Sequence, residues 1–404
     1  MITRSTRHTL KACNATKASR YQAFVEESSR VSLHALDAVW RHYVEIGELH
    51  IPKLLDYKKF APADSKLSAR AAQCAVNAAG GVVRSAIEKQ RRVVWVRDNV
   101  ANSSPKDKKF KKPEPKFISA QLNANCATFQ ASEGRFLGFL KLSSLGKEFG
   151  TIWVPIVKNP RVAGDLKSGF LLSKRNVQLV WEREAPENTG SEVIAVDQGL
   201  IDVATCSDGQ TTPKQCPHGY DLPSVLDKLS RKKKGSKAFR RAQAHRKNFV
   251  NWSINQLNLK GVKEVRLEKV VNIRFGRSSS RKMSHWCNPE IRDKLKSRCE
   301  ELNVSVVEQM CAYRSQRCNE CGNVRKANRK GKLYSCRNCG YECDADLNAA
   351  RNHLGDLPAV PKSFLGRRLN LGDGFFWKES GFFTFDGAEL VSPALQQLPS
   401  SSQN

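Results

Sequence analysis

Residues 318–352 read CNECGNVRKANRKGKLYSCRNCGYECDADLNAARN, and two kinds of structure meet in them. The first is set by Cys318-x-x-Cys321 and Cys336-x-x-Cys339, separated by 14 residues and each followed by a glycine, Gly322 and Gly340. Four cysteines in this pattern predict a zinc ribbon. Each glycine turns a knuckle, and the four thiolates converge tetrahedrally on Zn²⁺. With no open ligand position the zinc is structural, and it adds folding energy to a piece too small to own a core. The second is DLNAARN, a short helix that Asp346 opens directly after the ribbon.

Upstream, apolar runs of strand length alternate with helical patterns. SEVIAVD (191–197) is a buried-type strand ending in Asp197, IDVATCSDG (201–209) a second strand, GVKEVRLEKV (261–270) a third carrying Glu268, and VSVVE (304–308) another. Residues 230–250 form a basic helix candidate that includes Arg231, Lys232, Lys233, Lys234, Lys237, Arg240, Arg241, Arg246 and Lys247. Asn288-Pro289 opens a further helix, with Asn as N-cap and Pro in the first turn. Strands alternating with helices make 190–312 an α/β domain. Carboxylates at strand ends and at a helix start can meet in space. Three such oxygen ligands suit Mg²⁺, and metals so held clamp a phosphodiester. Taken singly each acid is weak evidence, because an Asp at a strand end is more often a cap or an ion-pair partner. Asp202, Asp344 and Glu264 are neighbouring acids, and spacing alone does not choose among them.

The N-terminal part has a different texture. Residues 16–46 have helical spacing (Tyr21, Phe24, Val25, Leu36, Val39, Tyr43). A second helix starts near Ser65, breaks at Gly80-Gly81 and resumes towards Trp95. A Pro- and Lys-rich link, 102–116, leads into short strands through 186. Trp95, Phe110, Phe239 and Trp252 lie beside basic runs and are read as core packing. The 404 residues hold 68 Lys+Arg against 39 Asp+Glu, a net charge of +29, which calls for a polyanion partner, nucleic acid first. A hydrophobic fraction of 40% excludes global disorder. No apolar run of about 18 residues is present, which argues against a membrane span. The basic N-terminus lacks the apolar stretch of a secretory signal. Thirteen Cys, an odd number, with no signal peptide argue against a disulfide scaffold and for a reducing compartment; the expected location is intracellular, cytoplasmic and nucleoid-associated. The nine outside the ribbon are read as small buried hydrophobes. Residues 355–404 carry four basic and five acidic residues and seven Phe or Trp; part of this tail is expected to dock on the preceding domain and the last ten residues to be disordered.

Several of these stretches together resemble the transposon-associated TnpB nucleases and the compact type V CRISPR effectors. Val196-Asp197-Gln198-Gly199 with Ala204-Thr205 and Asp208-Gly209 is similar to the first RuvC motif of that family. Val265-Arg266-Leu267-Glu268 is similar to the second, and Asp344 to Asn352 to the third. Leu229 to Lys237 resembles the basic stretch after the first motif, and Tyr313 to Cys318 the approach to the ribbon. The second motif departs from the pattern, with Lys269-Val270 after its Glu, and Arg314 stands where the family usually has Thr. The resemblance covers about 190–354. It implies a multi-domain α/β chain: an RNase H-like RuvC nuclease domain with inserted zinc ribbon, preceded by a β-barrel wedge module carrying a helical recognition module. The implied boundaries are 1–15 and 102–186 for the wedge, 16–101 for the recognition module, 190–312 for the nuclease core, 313–343 for the ribbon, 344–354 for the third motif and 355–404 for the tail. It further implies Asp197, Glu268 and Asp346 as catalytic Mg²⁺ ligands in an RNA-guided DNA endonuclease. Guide RNA and target DNA are the implied partners, bound by a monomer or by a homodimer on one guide RNA. Arg231, Lys232, Lys233, Lys234, Lys237, Arg240 and Arg241 are the expected nucleic-acid contacts. Two other readings are an RNA-guided DNA binder that does not cut and a guide-independent RuvC-like resolvase or transposase accessory.

Overall fold

The structure is a computed structural model that describes residues 1–99, 110–158, 164–270, 285–361, 364 and 374–390. The chain divides into two units, Met1–Glu184 and Ala185–Asn404. In the first, β1 (Ile2–Thr9) leads into α1 (Ala15–Trp40), whose N-cap Asn14 accepts the Lys17 N–H at 2.9 Å. Tyr21, Phe24, Val25, Val31, Ala35, Leu36 and Val39 form its buried stripe at helical spacing. The helix widens into a π-type turn over Arg41–Glu45. After the single turn α2 (Tyr57–Phe60) comes α3 (Ala69–Asn99), which runs unbroken through both glycines rather than stopping at them. The reason lies in packing: a Cβ on Gly80 would stand 2.6 Å from Leu55 Cδ1, so glycine there admits the buried Leu55 against the helix.

Six strands complete this unit: β2 (Ala120–Leu122), β3 (Ala127–Ala131), β4 (Phe136–Leu142), β5 (Ile152–Val157), β6 (Asp165–Leu172) and β7 (Asn176–Arg183). They form two antiparallel sheets, ordered β1-β7-β6-β2 and β3-β4-β5. In β7 every second residue (Val177, Leu179, Trp181) is buried, the alternation expected of a sheet with one face in the core. That core takes in both sheets and the first half of each long helix (Tyr21, Phe24, Ala71, Cys74). The far halves of the same helices close a second core with Ile51, Leu55 and Phe60. The helical pair is therefore anchored in the β core at one end and packed on itself at the other. Residues 100–109 of the expected link lie outside the described residues.

The second unit begins with β8 (Glu192–Asp197), β9 (Thr205–Cys206), α4 (Leu222–Ser230), α5 (Lys237–Asn255), β10 (Val262–Lys269), α6 (Asn288–Glu301) and β11 (Ser305–Met310). The sheet order is β11-β10-β8-β9, with β10 parallel to both β8 and β11 and β9 antiparallel at the edge. This is a mixed α/β arrangement, and Ile194, Val196, Val265, Leu267, Phe249, Ile291 and Leu295 share its core. Only Thr205–Cys206 of the stretch 201–209 is strand. The basic stretch 230–250 is not one helix: α4 ends at Ser230, Arg231–Ser236 form a turn, and Ser236 caps α5 by accepting the Phe239 N–H at 3.0 Å. Asn288 is not the cap of α6. It lies inside the helix after Cys287, and its amide donates to the Val270 carbonyl at 3.1 Å.

The chain continues through β12 (Asn323–Val324), β13 (Arg329–Lys330), β14 (Leu333–Ser335), β15 (Glu342–Asp344), α7 (Ala345–Asn352), β16 (Phe375–Lys378) and β17 (Gly381–Phe383). β13, β14 and β15 form one small sheet. β16 and β17 leave the tail to pair with β12 in another. Phe364, Phe375, Trp377 and Phe382 are buried there with Val324 and Val360, so the aromatic run of the tail is a core. Its last ten residues, expected to be disordered, lie outside the described residues. Of the four aromatics read as core, Phe239 is buried and Phe110 lies tilted against Trp40, with ring centroids 4.9 Å apart. Trp252 is partly buried against Phe249, but Trp95 is 56% exposed near the end of α3. Among the nine scattered cysteines, Cys74, Cys126, Cys206, Cys287 and Cys299 are buried and Cys13, Cys216, Cys311 and Cys343 half-buried.

Candidate functional site

The four ribbon cysteines come together. Their sulfurs all lie within 4.8 Å of one another, with Cys318–Cys339 and Cys321–Cys336 each at 3.7 Å. The two knuckles are near copies. Gly322 and Gly340 adopt φ +79° and +77°, a left-handed turn that favours glycine. Their N–H groups donate to Cys318 O at 3.0 Å and Cys336 O at 2.9 Å. This is a zinc-ribbon-like cluster of four cysteines.

The DLNAARN helix is tied to the approach of this cluster by its asparagines. Asn348 Nδ2 donates to Arg317 O at 2.7 Å, and Asn319 N donates to Asn348 Oδ1 at 3.1 Å. One turn on, Asn352 Nδ2 donates to Arg314 O at 3.0 Å, and Arg317 Nη1 donates to Asn352 Oδ1 at 2.5 Å. Ala349 and Ala350 are buried, and α7 packs on β8 and β9. The Asp344 side chain caps α7, accepting the Asp346 N–H at 2.8 Å. Asp344 thus fixes the helix start, and Asp346 is left facing the sheet.

Asp197 ends β8, and Glu268 stands near the end of the adjacent parallel β10. Their carboxylates lie close together, within 4.8 Å of each other and of a His353 ring nitrogen. Asp197 and Asp346 are 7% and 4% exposed. Burial, then the charges of Glu268 and Asp346, pushes the Asp197 carboxyl well above its ordinary pKa. Burial likewise raises Glu268 to about 7, against the pull of the Gln198 N–H. Asp346 is engaged differently: Arg329 Nη2 meets its Oδ1 at 2.7 Å and Lys332 Nζ its Oδ2 at 2.5 Å. Lys332 also holds Asp202 Oδ2 at 2.5 Å. Both cations come from the hairpin between the two cysteine pairs. Gly199 is required where it stands, since a Cβ there would meet the Asp202 carbonyl oxygen at 2.3 Å and Asp346 Oδ2 at 3.5 Å.

Sequence reasoning does not find His353, Arg329 and Lys332, nor the role of Gln198. His353 follows Asp346 by seven residues, two helical turns, and that spacing is the available signal. It is 1% exposed, and burial and then Arg314 lower its pKa to about 3, so the ring is neutral. A cavity of about 430 Å³ lined by Asp202, Thr205, Thr211, Lys214 and Lys332 opens beside Asp346. Of the expected nucleic-acid contacts, Arg231, Lys233, Lys234, Lys237, Arg240 and Arg241 are exposed and Lys232 half-buried. Arg231 pairs with Asp227. Arg246, from the same run, is buried and paired with Glu290, and its role is structural.

Comparison with known proteins bears on this unit. Residues 289–353 match the family model of the Cas12f1-like TNB domain. The CRISPR-associated endodeoxyribonuclease Cas12f1 of Sulfoacidibacillus thermotolerans is 36% identical over 141 residues, 33% of this chain and 31% of that protein. The protein of the same name from Syntrophomonas palmitatica is 27% identical over 177 residues, 36% and 34% of the two chains. The match spans about a third of the length of each relative. The chain solved in a cryo-EM structure of a Cas12f1–sgRNA–target DNA complex superposes over 84% of this chain and 83% of its own, with TM-score 0.49 and 12% identity. The protein thus carries a Cas12f1-like TNB domain and is related in sequence to Cas12f1 endodeoxyribonucleases, which supports its resemblance to the compact type V and TnpB-like nucleases.

Proposed function

We propose that the protein is an RNA-guided DNA endonuclease that hydrolyses phosphodiesters at a RuvC-type site, with Asp197, Glu268 and Asp346 as its acids. The observation that carries this reading is the buried Asp197 and the half-buried Glu268 side by side at the ends of adjacent parallel strands, in a chain of net charge +29. Burial is the main cause of the raised pKa of both carboxyls, and a bound cation would lower them. Their oxygen donors fit Mg²⁺. Asp197 and Glu268 would hold the ion, with Asp346 beside them. When bound, the ion supplies charge stabilisation and activation of water for phosphodiester cleavage. The chain's own part is to hold the acids at adjoining element ends and to fix Asp346 through Arg329 and Lys332. Lys214, exposed in the adjoining cavity, would meet phosphate oxygens.

The four-cysteine cluster fits Zn²⁺. Zn–S bonds of about 2.3 Å in a tetrahedron require S···S edges of about 3.8 Å, and the Cys318–Cys339 and Cys321–Cys336 sulfur pairs stand at 3.7 Å. In this reading the RNase H-like core is 190–312 with the third motif at 344–354, the zinc ribbon is 313–343, and the first unit supplies wedge and recognition modules. The exposed cations around the α4–α5 turn contact guide RNA or the heteroduplex, while base pairing reads the target. The test is cleavage of matched DNA by the purified ribonucleoprotein with Mg²⁺. Asp197→Ala is expected to lower cleavage by ~100-fold or more. Undiminished cleavage by that variant rules the site out.

A further inference from the structure

An imidazole also stands at the Asp197–Glu268 pair, beside the expected acid. A His353 ring nitrogen lies with one oxygen of each carboxylate, all within 4.8 Å of one another. Asp346 stands outside that triangle, its two oxygens taken by Arg329 and Lys332. His353 is not a surface residue that swings in: it is 1% exposed at the end of α7, the helix whose asparagines fasten it. Its Nδ1 lies 3.3 Å from Gln309 Oε1. An amide oxygen only accepts, so the tautomer that satisfies this contact carries its proton on Nδ1, and in it the Nε2 lone pair is free to act as a donor. Gln309 stands opposite Glu268 in the parallel β10–β11 ladder, so the group that orients the imidazole and the acid share one register. Close by, Gln198 donates Nε2 to Glu268 O at 2.9 Å, while its Oε1 is buried with no partner.

We propose that His353 is a direct ligand of the divalent cation held by Asp197 and Glu268, so that an imidazole is added to the carboxylates of the site and raises its preference for Mn²⁺ over Mg²⁺. Imidazole nitrogen suits first-row transition ions, whereas Mg²⁺ selects oxygen. The proposal rests on the nuclease reading of the same acids and adds the identity of a ligand and of the ion it favours. Gln309 is a positioning residue here, acting through the imidazole.

The test uses the full chain with Mn²⁺ as probe. Pulsed EPR of bound Mn²⁺ is expected to show coupling to a directly coordinated nitrogen, changing from ¹⁴N to ¹⁵N when the histidines are ¹⁵N-labelled. Wild-type protein suffices, so the result does not depend on a variant that folds. In His353→Leu the coupling is expected to vanish, and Mn²⁺ affinity to fall about tenfold with a smaller loss for Mg²⁺. Bound Mn²⁺ without nitrogen coupling overturns the proposal, and so does an unchanged Mn²⁺/Mg²⁺ affinity ratio in His353→Leu. DNA cleavage by the same preparations separates the two ideas. Cleavage without coupling removes His353 alone, whereas coupling without guide-directed cleavage leaves the ligand in place and removes the nuclease reading.

Discussion

At Glu268 the cost of burying a carboxylate is readable as a pH effect. Its folded pKa of about 7 lies above the ordinary carboxyl value, with burial the main cause. Stability from this group is therefore fully present below the unfolded pKa, near 4.5, and is lost as pH rises through 7. In buffer without added divalent cation, the melting temperature of the wild type relative to Glu268→Gln should fall between pH 5 and 8. Added Mg²⁺ should shrink the difference. A difference that stays flat with pH would remove the burial argument. At Gly199 the constraint is steric. A methyl group there must displace the Asp202 backbone, so Gly199→Ala should destabilise the second unit by about 1–3 kcal/mol in urea unfolding. Element ends make Asp197, Glu268 and Asp346 candidates, and the resemblance to the RuvC motifs chooses them over Asp202, Asp344 and Glu264. Neither can place Arg329 and Lys332, whose contact with Asp346 depends on the fold of a hairpin between two cysteine pairs.

Elements explain why some sequence readings carry through and others do not. Strand 193–196 is four consecutive apolar residues, and the shortness of the run and its β-branched content are enough to find it. Gly80-Gly81 and the run 230–250 mislead for opposite reasons. Glycine in α3 serves a contact with Leu55, a tertiary fact, and the helix therefore continues. Basic residues tolerate helix or turn equally, so the break at Arg231–Ser236 leaves no trace in their charge. The aromatic tail announces a core by composition, but not that it builds on the first cysteine knuckle. There Trp377 N donates to Gly322 O at 2.9 Å and Arg317 Nε to Trp377 O at 2.7 Å. Zinc binding and tail folding should consequently be coupled. Cys321→Ser is expected to lower bound zinc below one ion per chain and to speed amide exchange at Trp377, by mass spectrometry, while exchange in β3–β5 stays unchanged. Protection at Trp377 that survives loss of the metal would contradict this link.

Over the whole molecule, charge divides by task. The chain carries +29, yet its buried acids sit together in the second unit, and cations from the ribbon hairpin partly neutralise them. Among the described residues no helix is long and apolar enough to cross a membrane. The exposed cations Lys233, Lys234, Lys237 and Arg240 should act through counterion release. Replacing all four by Ala should reduce the slope of log affinity for single-stranded RNA against log salt by about 3, since each phosphate contact contributes ~0.7. An unchanged slope would mean that this turn does not touch RNA. The central claim, that RNA directs this acid site to DNA, is tested most directly by changing the guide. The chain is purified with the RNA it retains, that RNA is sequenced, and its spacer-like portion is replaced by a new sequence. Cleavage in Mg²⁺ should move to DNA matching the new sequence and leave the old target intact. Cutting that ignores the replacement, or that proceeds after the RNA is removed, would contradict the account.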